Sequence, residues 1–116
     1  MREIARIEAE THGDVEVARI AGEVDMTNAR LLGDRLRGLL SNHSEALVVD
    51  LGPTTYLDSS GITLLFELVG ELRRRQQELH VVVPEGSPLR RVIGIVGLDK
   101  AVPVHPTLEA ALDRAG

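Results

Sequence analysis

Asp58, Ser59, Ser60 and Gly61 set a carboxylate and two hydroxyls side by side, directly ahead of a long apolar periodic run. Side chains of these types accept hydrogen bonds from the free amides of a helix's first turn, so the tetrapeptide reads first as a helix cap. The same place has a second chemistry. The N-terminus of a helix carries partial positive charge and tolerates an anion. A serine there can bear a phosphate while the fold persists. Catalytic chemistry is poorly served. Neither serine has a glycine two places before it, as a hydrolase nucleophile elbow requires. His12, His43, His80 and His105 fall in turns or at strand edges without ligand spacing. A phosphate-binding Gly-x-x-x-x-Gly-Lys is lacking, and Gly94-Ile95-Val96-Gly97 falls inside and at the end of a helical pattern. The chain has no cysteine, which excludes disulfides, thiolate catalysis and cysteine metal sites. The expectation is a protein-interaction module with a covalent switch. It is not an enzyme, and it has no catalytic residues, no metal ligands and no cofactor.

Several elements must position that tetrapeptide. Ala46 to Val49 is a short apolar run suited to an interior parallel strand, closed by Gly52-Pro53. After Ser59, Ile62, Leu65, Val69 and Leu72 form a helical stripe, and Leu64, Phe66 and Leu68 widen it. Such a helix is either deeply buried or partly open to a partner. Arg73-Arg74-Arg75 suits the last turn of its dipole. Upstream, Met1 to Glu10 and Val15 to Ile20 nearly alternate around Thr11-His12-Gly13-Asp14, a hairpin that Gly22 ends. Asp25-Met26-Thr27-Asn28 is the next loop and cap. Leu32, Leu36, Leu39 and Leu40 stripe the helix that follows, and Ser41 to Ser44 stop it. Downstream, His80 to Val83 is a buried strand closed by Pro84-Glu85-Gly86. Ser87-Pro88 opens a helix striped by Leu89, Val92, Ile93 and Val96 and stopped by Gly97. Ala101 to Val104 is a short strand, and Pro106-Thr107 opens a last helix with Leu108, Ala111 and Leu112 inward.

The order is β-β-α-β-α-β-α-β-α: an α/β fold with a mostly parallel mixed sheet of about five strands and four helices. The hairpin strand is its antiparallel edge, and the crossovers are right-handed. Loops after Ala21, Asp50 and Val83 should gather at the carboxyl ends of the strands, bringing Asp25 and Ser59 into one neighbourhood.

Composition bounds the partners. At 116 residues the expectation is a single domain, 1–116, and 43% hydrophobic residues argue against disorder. Tyr56 and Phe66 are the only aromatics, so the core is aliphatic and stacking on single-stranded nucleic acid is disfavoured. A net charge of −5 argues against nucleic acid or an anionic membrane as partner. Apolar runs fall short of the ~18 residues of a membrane span, and a basic-then-apolar leader is not evident, so a soluble cytoplasmic protein is expected. Twelve arginines against Lys100 alone hint at a GC-rich genome.

Tyr56-Leu57-Asp58-Ser59-Ser60-Gly61-Ile62 resembles the phosphorylation loop of the anti-anti-sigma factors, bacterial single-domain STAS proteins. Gly22-Glu23-Val24-Asp25 resembles that family's stretch after its second strand. Leu89 to Ile93 and Val96-Gly97-Leu98 resemble its last helix and glycine stop. The resemblance runs from about residue 4 to residue 113 and implies the STAS fold. It implies an anti-sigma factor antagonist whose unphosphorylated form binds an anti-sigma factor that is also a serine kinase. That binding frees the sigma factor for transcription. Phosphorylation of Ser59 releases the kinase, and a serine phosphatase reverses the step. Asp25, Asp58, Ser60 and Gly61 match positions at the partner-binding surface. Asp25 and Asp58 serve equally well as loop and cap residues. A similar domain also serves in other assemblies, such as a lipid-transport or stress-signalling complex, without a sigma-factor role.

Overall fold

The structure, a computed structural model, describes residues 5–115. The part of the first strand expected at Met1 to Ile4 lies outside the described residues. Among the described residues, six strands form one mixed sheet, β1 (Arg6–His12), β2 (Val15–Val24), β3 (Ala46–Asp50), β4 (Thr54–Leu57), β5 (Glu78–Val82) and β6 (Val104–His105). Helices are α1 (Ala29–Leu39), α2 (Ser59–Arg74), α3 (Leu89–Val96), α4 (Leu98–Ala101) and α5 (Leu108–Arg114). The spatial order is β1-β2-β3-β5-β6, with β4 alongside the end of β2. β1 is antiparallel to β2, and every other pairing is parallel, as the connections require.

Alternation along β3 explains the two layers. Leu47 and Val49 point into the larger cluster under α1 to α4, with Leu36, Leu68, Leu72 and Ile93. Ala46 and Val48 point the other way, into a smaller cluster with Val15, Val17, Val82 and Ala111 under α5. All five residues of β3 are buried, which is why Ala46 to Val49 is a continuous apolar run; Asp50, the fifth, is paired with Arg19. Leu64 and Leu68 belong to the core at 6% and 0% exposure, whereas Phe66 is exposed. The breadth of the α2 stripe therefore serves burial at those two leucines.

Two elements exceed the expected count. Thr54–Leu57, expected as loop, is strand β4. Gly52-Pro53 does end β3, but the chain restarts at once, with Thr54, Thr55 and Tyr56 favouring extended backbone. Leu98–Ala101 is a further helical turn, α4, after Gly97. Gly97 does stop α3, in the left-handed conformation at φ 78°. Gly22 does not end β2. It sits at φ 102° where the β2–β4 register shifts, a bulge that lets the strand run on to Val24.

Candidate functional site

The register that closes the site is Val24 beside Leu57. Two parallel strands that end level with each other release their following loops side by side. The Asp58 amide extends the ladder by donating to the Val24 carbonyl at 3.1 Å. The loop after β2 and the first turn of α2 therefore share one end of the sheet, as the topology of the sequence led one to expect.

Asp58 is the N-cap of α2. Its Oδ1 accepts from the amides of Ser60 at 2.8 Å and Gly61 at 3.2 Å. Its Oδ2 accepts from the amide of Met26 at 3.2 Å. One carboxylate thus caps the helix and clasps the neighbouring loop. Asp25 is buried at 8% exposure, and its Oδ1 accepts from the amide and hydroxyl of Thr27. Asn28 completes the loop. Its Oδ1 accepts from the Asp25 amide at 3.0 Å, and its Nδ2 donates to the Glu23 carbonyl at 2.8 Å. The Asn28 side chain makes no hydrogen bond to the first turn of α1. It acts as a brace for the loop that precedes it.

Ser59 is exposed at the first position of α2, and Ser60 is half-buried beside it. Gly61 is buried, and a Cβ there would lie 2.3 Å from Leu57 Cδ1 and 3.0 Å from Val24 Cγ1. Its lack of a side chain is what lets α2 start hard against β2 and β4. Of the expected site residues, the structure gathers Asp25, Asp58, Ser59, Ser60 and Gly61 at one end of the sheet. It gives Asp25 and Gly61 buried, shaping positions and leaves Ser59 on the surface.

Residue types alone did not single out Met26 or Tyr56. Met26 is 79% exposed although its amide is fixed by Asp58, and Tyr56 on β4 is 51% exposed. An isolated methionine between two polar residues carries no period to flag it. Tyr56 was hidden by the unrecognised strand. A groove of about 390 Å³ between α1 and α2 begins here, lined by Met26, Ala29, Arg30, Ser60, Leu64 and Glu67. Farther along, Arg37 ties the two helices together, its Nε donating to Glu71 Oε2 at 2.9 Å. That hydrogen bond raises the guanidinium's pKa, against the opposing effect of burial. Among the described residues, no group of three or more His, Cys, Asp or Glu side chains is placed to hold a metal ion, and no helix is long and apolar enough to cross a membrane.

Comparison with known proteins agrees with this geometry. The family model described as STAS domain matches residues 6–111. The chain is 34% identical over 101 residues to the anti-sigma-F factor antagonist RsfB of Mycobacterium tuberculosis, spanning 87% of this chain and 81% of that one. It is 26% identical over 103 residues to RsfA of the same species, also an anti-sigma-F factor antagonist, spanning 87% and 80%. The crystal structure of an anti-sigma factor antagonist from Mycobacterium paratuberculosis superposes with a TM-score of 0.84 at 32% identity, covering 95% of this chain and 92% of that one.

Proposed function

The chain belongs to the STAS domain family, and from that premise we propose that it is an anti-sigma factor antagonist switched by phosphorylation of Ser59. The unphosphorylated form binds an anti-sigma factor that is also a serine kinase and so frees the sigma factor. Phosphorylation ends that binding, and a serine phosphatase restores it. The protein acts by binding and catalyses nothing itself.

The observation that carries the reading is an exposed hydroxyl at the first position of a helix whose cap is already filled by Asp58. Next to it stand the Asp58 carboxylate and the exposed Met26, whose amide that carboxylate holds. A partner fitted to that relief accepts a small neutral hydroxyl. Phosphate adds about −1.5 to −2 charges and three strong acceptors at that point. It meets Asp58 on its own side and a closed, desolvated surface on the partner's. Asp25 and Gly61 serve the interface indirectly, by fixing the loop and the helix start. Ser60 opens toward the α1–α2 groove.

The experiment pairs the purified chain with candidate anti-sigma kinases and ATP. The expected product is a single species heavier by about 80 Da, one phosphate, which Ser59→Ala abolishes. Ser59→Asp is expected to fold with an unchanged core and to bind the kinase at least about a hundredfold more weakly, some 2.7 kcal/mol. Equal affinity of Ser59→Asp and the unmodified chain would overturn the switch.

A further inference from the structure

Away from the Ser59 end, two titratable rings are buried against each other. His80 on β5 and His105 on β6 are 3% and 8% exposed, with His80 Nδ1 and His105 Nε2 2.9 Å apart. The other nitrogen of His80, Nε2, lies 3.1 Å from Glu78 Oε1. Two neutral rings satisfy this chain in one arrangement. His105 donates from Nε2 to His80 Nδ1, and His80 donates from Nε2 to the Glu78 carboxylate. One added proton is also accommodated. The new proton enters at His105 Nδ1 as the shared proton passes from His105 Nε2 to His80 Nδ1, so that a charged His80 donates to Glu78 and to His105 at once. A second proton is not accommodated. It sets N–H against N–H across 2.9 Å, loses the bond, and buries two cations together.

The surroundings sharpen the limit. β5 supplies Glu78, and β3 presents Val48 opposite His80, with Asp50 two residues on and already paired to Arg19. α2 supplies Arg73, which lines a cavity of about 240 Å³ beside His80 together with Arg114 of α5. Burial, then the neighbouring His80 and Arg114, hold His105 below the ordinary histidine range. Arg114 of α5 thus sets a cation near His105, against the one carboxylate on β5, while Arg73 of α2 donates to the Ala101 carbonyl.

On the face of the sheet that carries the pair, little else holds β6, although Val104 packs on the opposite face against the larger cluster. β6 has two residues in the ladder, with the Val81 amide donating to the Pro103 carbonyl at 3.0 Å and the Val83 amide to the His105 carbonyl at 2.8 Å. α5 covers the smaller apolar cluster, which is separate from the one that carries α2 and Ser59.

We propose that the His80–His105 pair is a pH-sensitive joint that anchors β6 and α5 to the sheet. Entry of the second proton releases that unit and uncovers the face formed by Val15, Val17, Val48 and Val82. The Ser59 end, built on the other cluster, stays folded. This holds whether or not Ser59 is a phosphorylation site.

The test is amide hydrogen exchange on the full chain from about pH 7.5 to about pH 5, expressed as protection factors, with the imidazole titrations followed by NMR. The expected result is protection at residues 108–114 that falls by up to about tenfold per pH unit for each extra proton bound by the open form. Protection in β2 and β3 should not follow. His105→Gln should flatten the pH dependence in α5, and His43→Gln, at an exposed site, should leave it. Constant α5 protection, a fall shared equally by β3, or an unchanged pH dependence in His105→Gln overturns the proposal. If His105→Gln does not fold, the unsubstituted chain decides. Uptake of two protons by the pair above about pH 6 with α5 protection intact overturns it, and loss of protection in step with the second proton supports it.

Discussion

Asp58→Ala removes three acceptor contacts with one truncation, to the amides of Ser60, Gly61 and Met26. Asp58 itself sits at φ −90°, ψ −173°, outside the helix, so alanine's helix propensity brings no offset. Loss of an N-cap carboxylate costs about 1 kcal/mol, within a range of about 0.5–2. The Met26 contact is exposed and water replaces it in part, so its loss adds about 0.5 kcal/mol, the low end for a hydrogen bond. The sum is about 1–2.5 kcal/mol. At about 4 °C per kcal/mol for a chain of this size, Tm should fall by about 4–10 °C. Asp58→Asn keeps the Oδ1 acceptor at the cap but sets an amide NH2 where Oδ2 accepts from Met26, so it loses that contact, about 0.5 kcal/mol, and the charge at the helix N-terminus, about 0.3–1 kcal/mol. It should therefore cost less than alanine, by the cap bonds it retains. Urea unfolding checks both, since an unchanged slope with a shifted midpoint assigns the effect to the native state. A second readout is the Met26 amide, whose exchange protection should drop in Asp58→Ala. If the alanine variant lies within about 0.5 kcal/mol of the unsubstituted chain, or asparagine is no better than alanine, the carboxylate does not hold the start of α2 and the reasoning fails.

The remaining predictions are these. Gly61→Ala gains up to about 1 kcal/mol of helix propensity but forces a Cβ to 2.3 Å from Leu57 and 3.0 Å from Val24, an overpacking cost of about 1–3 kcal/mol, so it should destabilise on balance. Gly38→Ala meets nothing within 4 Å and should stabilise by about 0.5–1 kcal/mol; urea midpoints of opposite sign for the two variants check the pair. Because the folded pKa of His105 is depressed, the unfolded chain binds more protons between that value and about 6.5. Stability should accordingly fall as pH drops below about 6.5 and level off beneath the folded pKa; a profile flat across that window counts against the burial of this ring.

Much of the fold was legible because burial writes itself as period. The α1 stripe at Leu32 and Leu36, the apolar run that opens β3 and the Leu89–Ile93 part of the α3 stripe are where the sequence placed them, while Val96, expected inward, is exposed; the Gly97 stop has a different cause, its left-handed backbone. β4 was not legible. Four residues after a Gly-Pro turn, with Thr55 and Tyr56 exposed between buried Thr54 and Leu57, carry too short an alternation to separate from loop. That omission reached the site. Without β4, the Val24–Leu57 register could not be drawn, and the nearness of Asp25 and Ser59 rested on a general rule for strand ends. The roles of the two aspartates were also beyond the sequence. Asp58 proves to span two loops, and Asp25 is turned inward to Thr27. The histidines show the same limit from the other side. His80 and His105 lack ligand spacing, yet pairing across β5 and β6 brings them to 2.9 Å.

The placement of Ser59 separates what a phosphate does to the fold from what it does to docking. Like unit charges about 5 Å apart repel by about 0.8 kcal/mol in bulk water. A phosphate of about −1.5 to −2 beside Asp58 therefore costs about 1.2–1.7 kcal/mol. The helix N-terminus returns about 0.3–1 kcal/mol of that. The remainder is near 1 kcal/mol, small against a domain stability of about 5–15 kcal/mol. At a closed interface the effective dielectric falls to about 20, and the same charges meet at about four times the energy. The phosphorylated chain should thus lose no more than about 4–6 °C in Tm while losing its kinase partner. A much larger drop in Tm, with affinity falling in proportion, would mean that phosphate acts by loosening α2, and the separation argued from the exposed first turn would not hold.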